Sequence, residues 1–390
     1  MSAGSRLLVW CVTAIRWLMN AVLHASCLLL WPFGRPSKVE RVCIHRTGQI
    51  GDMVCALPAM RAIRNRFPDA QITLLSSAGE AGNPGIAGLA SALPWLDRVF
   101  SYSAESVARM GGIHALRADL AKQKFDLWIA LPQDLTDART EFRNLVFARW
   151  VGVRWAGGFF VNTVQRLLRQ QALHGVFERE STLLLDRVHR MGLAIPCSDG
   201  VFTIDQASEK NMQEKLRQAG LLDGRPILAI APGGKRAQNR WPTERFSALA
   251  RRWTDRGGAV LIIGGVSDAE LAERIAASST PTACVSFCGT TNLVESMALL
   301  RQCRVLAAND SGPMHLAAAV GIPCVVAFSA RDFPVKWFPR GTGHAVIRKD
   351  VECSPCLTEQ CTNDNICVNQ ITVDEMWHAL VPHFSMISMA

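Results

Sequence analysis

From residue 39 onward the chain alternates short apolar, β-branched runs with stretches of helical period. That alternation admits little besides a parallel sheet covered by helices. Val39–His45 reads as a strand, and Met53–Phe67 as a helix with Val54, Leu57, Met60 and Ile63 on one face. Ile72–Leu75 and Leu127–Ala130 read as further strands, residues 138–190 as mostly helical and basic, and 198–224 as the turn-rich surroundings of a domain boundary. The second half is more regular. Strands at Ile227–Ala231, Ala259–Ile263, 283–287, Arg304–Ala308 and Pro323–Phe328 alternate with helices at Glu244–Arg256, 268–277, Asn292–Gln302 and Pro313–Val320. The expected organisation is a hydrophobic N-terminal helical segment (1–38), a first Rossmann-like domain (39–205), a second one with a Cys-rich tail (206–370), and a C-terminal helix and tail (371–390). Two such α/β domains facing a central cleft would hold ligands at the carboxyl ends of their strands.

With 390 residues, 49% hydrophobic and 19% charged, wholesale disorder and a multi-span membrane protein are both disfavoured. The charge is uneven. Residues 1–67 hold nine Lys or Arg against Glu40 and Asp52, which is most of the net +9. A second basic run holds Arg139, Arg143, Arg149, Arg154, Arg166, Arg169 and Arg179 with only Glu141 and Glu178 inside it. A basic first half points to an anionic partner. Nucleic acid is disfavoured, because the basic residues are not interleaved with stacking aromatics and Tyr102 is the only tyrosine. Thirteen cysteines, an odd number with singles in apolar settings, read as thiols of a reducing cytosol rather than a secreted disulfide framework.

Residues 7–33 are long and apolar enough to cross a bilayer, yet Arg16, Asn20 and His24 recur at i, i+4, i+8 and form a narrow polar stripe on a helix. A spanning helix would hold Arg16 in hydrocarbon at a cost of about 2.5–3.5 kcal/mol. An in-plane helix avoids this, with Trp10, Trp17 and Trp31 at the interface and Arg6, Arg35, Lys38 and Arg41 near anionic lipid. A secretory signal is disfavoured because the run ends in Trp31-Pro32-Phe33 rather than small residues. Surface attachment is the favoured placement; a true span and a helix docked on the protein's own core are the alternatives.

Three motifs carry chemistry. In His45-Arg46-Thr47-Gly48-Gln49-Ile50-Gly51-Asp52 the glycines permit a tight strand-to-helix turn, and Asp52 at the helix entrance can accept a proton or simply cap the helix. In Ala231-Pro232-Gly233-Gly234-Lys235, followed by Arg236, Arg240 and Trp241-Pro242, a glycine pair after a strand precedes three cations. It can hold a diphosphate, or be a solvated basic loop. In Asn309-Asp310-Ser311-Gly312-Pro313-Met314-His315, Ser311 suits an N-cap and Pro313 a first turn, so the helix N–H groups would meet an anion; the plain alternative is a capped helix with an ordinary histidine.

Arg46 through Pro58, Gly233 through Pro242 with Glu244-Arg245-Phe246, and Asn309 through Ala319 together resemble glycosyltransferase family 9, the bacterial heptosyltransferases of lipopolysaccharide core assembly. The resemblance spans residues 39–382 and implies a GT-B fold. It further implies inverting, metal-independent transfer, with no catalytic cofactor, from a nucleotide-diphosphate sugar, typically ADP-heptose. The acceptor would be a phosphorylated, lipid-linked saccharide at the cytoplasmic face of the inner membrane. Asp52 matches the family's general base; Gly233 and Gly234 match its phosphate loop, with Lys235 and Arg240 beside it. Asp310, Ser311, Gly312 and His315 match donor-binding positions, Asp268 a ribose-binding acid and Thr291 a position near the nucleoside. Arg46, Gly51 and Arg61 fall on the acceptor side. Many members carry Lys where this chain has Asn239, so Lys235, Arg236 or Arg240 would have to supply that charge. A different nucleotide sugar, or a weakly catalytic scaffold of the same assembly, are the competing readings. Cys353, Cys356, Cys361 and Cys367 allow a structural zinc, one or two disulfides, or thiols. The last helix, about 372–383, would by the resemblance pack back on the first domain.

Overall fold

The computed structural model describes residues 3–78, 85–134, 136–161, 178–195, 202–280 and 282–384. Arg166 and Arg169 of the second basic run lie outside them. The described chain forms two compact units, the second beginning at Phe202.

In the first unit α1 (Ala3–Leu30) precedes β1 (Arg41–His45), α2 (Ile50–Arg66), β2 (Gln71–Ser77), β3 (Arg98–Tyr102), α3 (Ala104–Ala108), α4 (Gly112–Ala121), β4 (Leu127–Ala130), α5 (Ala138–Val151), β5 (Trp155–Gly157) and α6 (Glu180–Arg190). The strands make one parallel sheet, ordered β3-β2-β1-β4-β5. Its central strands are buried on both faces, which is why they read as continuous apolar runs. The edge strands β3 and β5 were not legible. β3 has no fully buried residue and β5 is three residues long and ends in glycine.

In the second unit α7 (Gln206–Gln218) leads into β6 (Ile227–Ala231), α8 (Thr243–Asp255), β7 (Ala259–Ile262), α9 (Ala269–Ala276), β8 (Cys284–Ser286), α10 (Leu293–Leu300), β9 (Val305–Asn309), α11 (Gly312–Ala319), β10 (Cys324–Phe328), β11 (Ala345–Arg348), α12 (Ile366–Asn369) and α13 (Val373–Leu380). These strands form a second parallel sheet, ordered β11-β10-β9-β6-β7-β8. Its core holds Trp241, Phe246 and Trp253. The C-terminal helix, expected on the first domain, is instead part of this core. Met376 and Leu380 of α13 are fully buried in it, and Trp253 meets Trp377 and Phe384 edge to face.

In an open parallel sheet, ligands collect where the strand order reverses direction, because the loops there splay to opposite faces. In the first unit the reversal lies between β1 and β4, in the second between β9 and β6. The loops at these two points begin at Arg46 and Leu131, and at Pro232 and Asp310. All three motifs of the sequence therefore sit at a switch point.

Candidate active site

In the first unit the turn after β1 is shaped around Asp52. Gly48 has φ +138°, and a side chain there would meet the Asp52 Cβ at 2.6 Å, so the turn requires glycine on both counts. Asp52 lies in the first turn of α2, where its Oδ2 accepts the Gln49 N–H at 2.9 Å. This holds the carboxylate at a half-exposed position through one oxygen. The capping alternative and the proton-accepting one are thus compatible, since they use different oxygens.

Arg46, expected on the acceptor side, is not available to a ligand. It is 1% exposed and donates to the Leu131, Pro132 and Asp52 carbonyls, with Glu180 at 3.5 Å. A buried guanidinium requires such partners, and here they stitch the two switch-point loops together. Arg61, on α2, lies over the Trp95 ring at 5.9 Å. Gly51 is half-buried in the first turn of α2.

The neighbouring strand ends bring together residues that the sequence shows only separately. His45 closes β1, and its Nε2 is 3.3 Å from the Tyr102 hydroxyl at the end of β3. Burial, and then the charge of Arg143, push its ring down to about 4, so it is neutral at ordinary pH. At the start of α5, Asp137, Arg139, Thr140, Phe142 and Arg143 line a surface pocket of about 570 Å³. The signal available was the arginine run itself, which gives sign but not direction. Inside the same helix Glu141 is buried, accepting from the Phe160 N–H and Asn144, and burial raises its carboxyl to about 7.

In the second unit Asn309, fully buried at the end of β9, organises the switch point. Its Nδ2 donates to the carbonyls of Pro232 (2.7 Å) and Gly233 (3.2 Å), and its Oδ1 accepts the Trp241 N–H (2.9 Å). One amide therefore fixes both ends of the glycine loop. A side chain at Gly233 would place its Cβ 2.2 Å from Asp268 Oδ1, and one at Gly234 would lie 3.8 Å from Ser311 Cβ and 3.9 Å from Arg240 Cγ. The glycine pair, Asp268 at the end of the β7 loop and the start of α11 thus converge within a few ångströms. Ser311 occupies the N-cap position with extended backbone, but its hydroxyl donates back to Asn309 O (3.3 Å). The helix therefore begins without a side-chain cap, which leaves its N–H dipoles for an anion. His315 in α11 is buried, and burial pushes it down to about 4, so it is a neutral hydrogen-bonding group and not a cation. Thr291 follows β8, with its hydroxyl 2.9 Å from Ser296 Oγ.

Asn239, at the position of the absent lysine, is buried and donates to Asp310 Oδ2 at 3.2 Å. Of the nearby cations, Arg236 is engaged by Glu359 (3.0 and 3.3 Å). Arg240 is exposed, and its Nε grips Gly234 O at 2.8 Å, which sets its guanidinium against the glycine loop. Lys235 is exposed.

The Cys-rich tail braces this loop. Gln238 donates to the carbonyls of Thr358 and Glu359, and Arg331 to Thr358 O and Glu359 Oε1. No zinc cage is formed by its cysteines: among the described residues no group of three or more His, Cys, Asp or Glu is placed to hold a metal. Cys361 Sγ accepts from the Asn363 and Asn365 N–H groups, Thr358 Oγ1 donates to Cys356 Sγ, and no described cysteine is in a disulfide.

Two parallel α/β units, each with its polar residues at the switch point, are those of a GT-B glycosyltransferase. The profile of glycosyltransferase family 9 (heptosyltransferase) matches residues 113–367, and the chain belongs to that family. It is 26% identical over 294 residues to lipooligosaccharide heptosyltransferase 2 of Haemophilus influenzae, covering 72% of this chain and 80% of the relative. A family 9 glycosyl transferase structure from Veillonella parvula superposes with a TM-score of 0.72 at 18% identity, over 90% of this chain and 99% of that one. The Escherichia coli heptosyltransferase WaaC, solved with ADP-2-deoxy-2-fluoro heptose, superposes with a TM-score of 0.59 at 16% identity, over 88% and 99%. The chain is thus an enzyme of the glycosyltransferase class.

Proposed function

We propose that the protein transfers a heptose, with inversion, from ADP-heptose to a phosphorylated, lipid-linked saccharide of the lipopolysaccharide core type at the cytoplasmic face of the inner membrane. The observation that carries the donor half is the convergence of Gly233, Gly234, Asp268 and the uncapped start of α11 at one switch point. Loops after β6, β7 and β8, adjacent strands, carry the glycine pair, Asp268 and Thr291 in that order. A nucleoside diphosphate laid across them would meet dipoles at its phosphates, a carboxylate at its ribose and a hydroxyl near its base. Asp310 and His315 would face the sugar side. Arg240, held on the loop by Gly234, is the cation best placed to replace the missing lysine, with Lys235 beside it.

In this reading the acceptor hydroxyl attacks the anomeric carbon as the bond to the diphosphate breaks. Asp52 Oδ1 takes the hydroxyl proton, while Oδ2 stays bonded to the Gln49 N–H and fixes the carboxylate's direction. The negative charge that develops on the departing diphosphate meets N–H groups already oriented by the fold, and such fixed dipoles favour the transition state over the ground state. Arg139 and Arg143, which line the pocket at the start of α5, would meet the acceptor's anionic groups, a role Arg46 cannot fill. The two arginines that line this pocket are the support for an anionic acceptor. Gly51 gives the acceptor close access to the α2 start.

Thermal shift with ADP- and UDP-linked sugars side by side tests the donor. ADP-heptose is expected to stabilise the protein, and stabilisation by UDP-sugars alone overturns the donor assignment.

A further inference from the structure

We propose that α1 is an in-plane anchor that lies on an anionic bilayer with Trp10, Trp17, Leu18, Val22, Leu29 and Phe33 inserted, and that it does not cross. This deepens the membrane-face reading above by naming the surface and its lipid, and it does not depend on the donor or on Asp52. By length and composition Thr13–Leu30 is able to span. Its contacts say otherwise. Leu23 and Trp31 are buried in the core of the first unit, and the Trp31 indole N–H donates to Val153 O at 3.0 Å. Asn20 pairs with the Val161 backbone in both directions, its Oδ1 accepting the N–H at 2.9 Å and its Nδ2 3.4 Å from the carbonyl. Arg16 lies over the Phe160 ring at 5.2 Å. The two most polar residues of the stripe therefore point into the protein, together with Leu23 and Trp31, and a spanning helix would have to break all of these contacts. His24 and Thr13 are exposed, and on a helical wheel they fall beside Asn20, at the margin of the outer face.

What remains outward is apolar. Trp17 is 73% exposed, Leu29 80% and Phe33 100%, with Trp10, Leu18 and Val22 on the same side. This is the reverse of a soluble surface helix, whose polar face is outward. The choice of a lipid surface over a protein rests on charge. The chain leaves α1 through Phe33 directly into Arg35 and Lys38, which with Arg66 line a surface pocket of about 400 Å³ whose acidic lining residue is Asp69. Tryptophans at the rim and cations next to an apolar face match an anionic bilayer interface.

The test is flotation of the full chain with phosphatidylcholine vesicles, with and without phosphatidylglycerol, and with no acceptor or nucleotide sugar present. The expected result is binding that depends on phosphatidylglycerol, weakens with salt and is released by alkaline extraction. The Leu18→Gln, Val22→Gln, Leu29→Gln triple variant, whose sites are exposed and leave the fold intact, should bind about a thousandfold more weakly, from roughly tenfold per lost apolar contact. Equal flotation of wild type and triple variant, resistance to alkaline extraction, or a dimer in light scattering that the triple variant dissociates would each overturn the anchor. ADP-sugar binding measured on the same preparations keeps its failure separate from that of the donor reading.

Discussion

Asn309→Ala gives the most quantitative probe of the donor half-site. The wild-type amide joins three buried backbone groups, the Pro232 and Gly233 carbonyls and the Trp241 N–H, from a position with no solvent exposure. Alanine leaves all three without this partner. A neutral buried group that loses its hydrogen bond costs about 1–3 kcal/mol, and water entering the gap recovers part of it, so the net loss should be about 3–5 kcal/mol. Urea denaturation reads this as a lower midpoint at unchanged slope. The same variant frees the glycine loop, so ADP affinity should fall further than stability alone explains at temperatures where the protein stays folded. Asn309→Asp separates the two effects. It keeps an acceptor for the Trp241 N–H but turns a carboxylate against two carbonyls, so the glycine end should loosen first. A stability loss under about 1 kcal/mol for the alanine variant, together with unchanged ADP affinity, would refute the hub.

Arg240→Met should weaken ADP about tenfold, the lower range for a hydrogen bond to a charged group at an exposed position, while Arg236→Met, whose partner is Glu359, should leave ADP binding near wild type; titration calorimetry distinguishes them, and the reverse pattern would contradict the assignment. Glu141 predicts a pH effect on folding. Burial holds its carboxyl at about 7 against the ordinary 4.5, so the folded state favours the protonated form. That contribution is complete below pH 4.5 and is lost as pH rises through 7. Glu141→Gln should therefore gain about 2–3 kcal/mol at alkaline pH, seen as a flatter pH dependence of Tm, and an unchanged profile would contradict the burial argument.

The central strands and the three motifs were legible from sequence because both report the same physics. Strands buried on two faces are continuous apolar runs, and the residues that follow them at a switch point are glycines and polar groups that no core would accept. Leu127–Ala130 and Ile227–Ala231 were placed to the residue for this reason. The edge strands β3, β5 and β11 were not, since a half-covered strand carries no such run. Arg46 shows the limit more sharply. Composition counts it as surface charge beside a motif, yet it is buried against three carbonyls and Glu180. Only the strand order, which brings the loops after β1 and β4 together, shows why. The C-terminal helix was misplaced for a related reason: its amphipathic pattern shows that it packs but not against what, and Trp253 supplies the answer. Asn309 was read as part of a motif, but its role as the link between both ends of the glycine loop depends on contacts across 68 to 77 residues of chain.

The proposed transfer depends most directly on Asp52, and one pair of measurements on one preparation tests it: ADP affinity and heptose turnover from ADP-heptose, in wild type and Asp52→Asn. Asparagine keeps the size of the side chain and an oxygen for the Gln49 N–H, so ADP affinity should be unchanged, while turnover should fall about 10²–10⁴-fold with loss of the proton acceptor. Near-wild-type turnover by Asp52→Asn would contradict it.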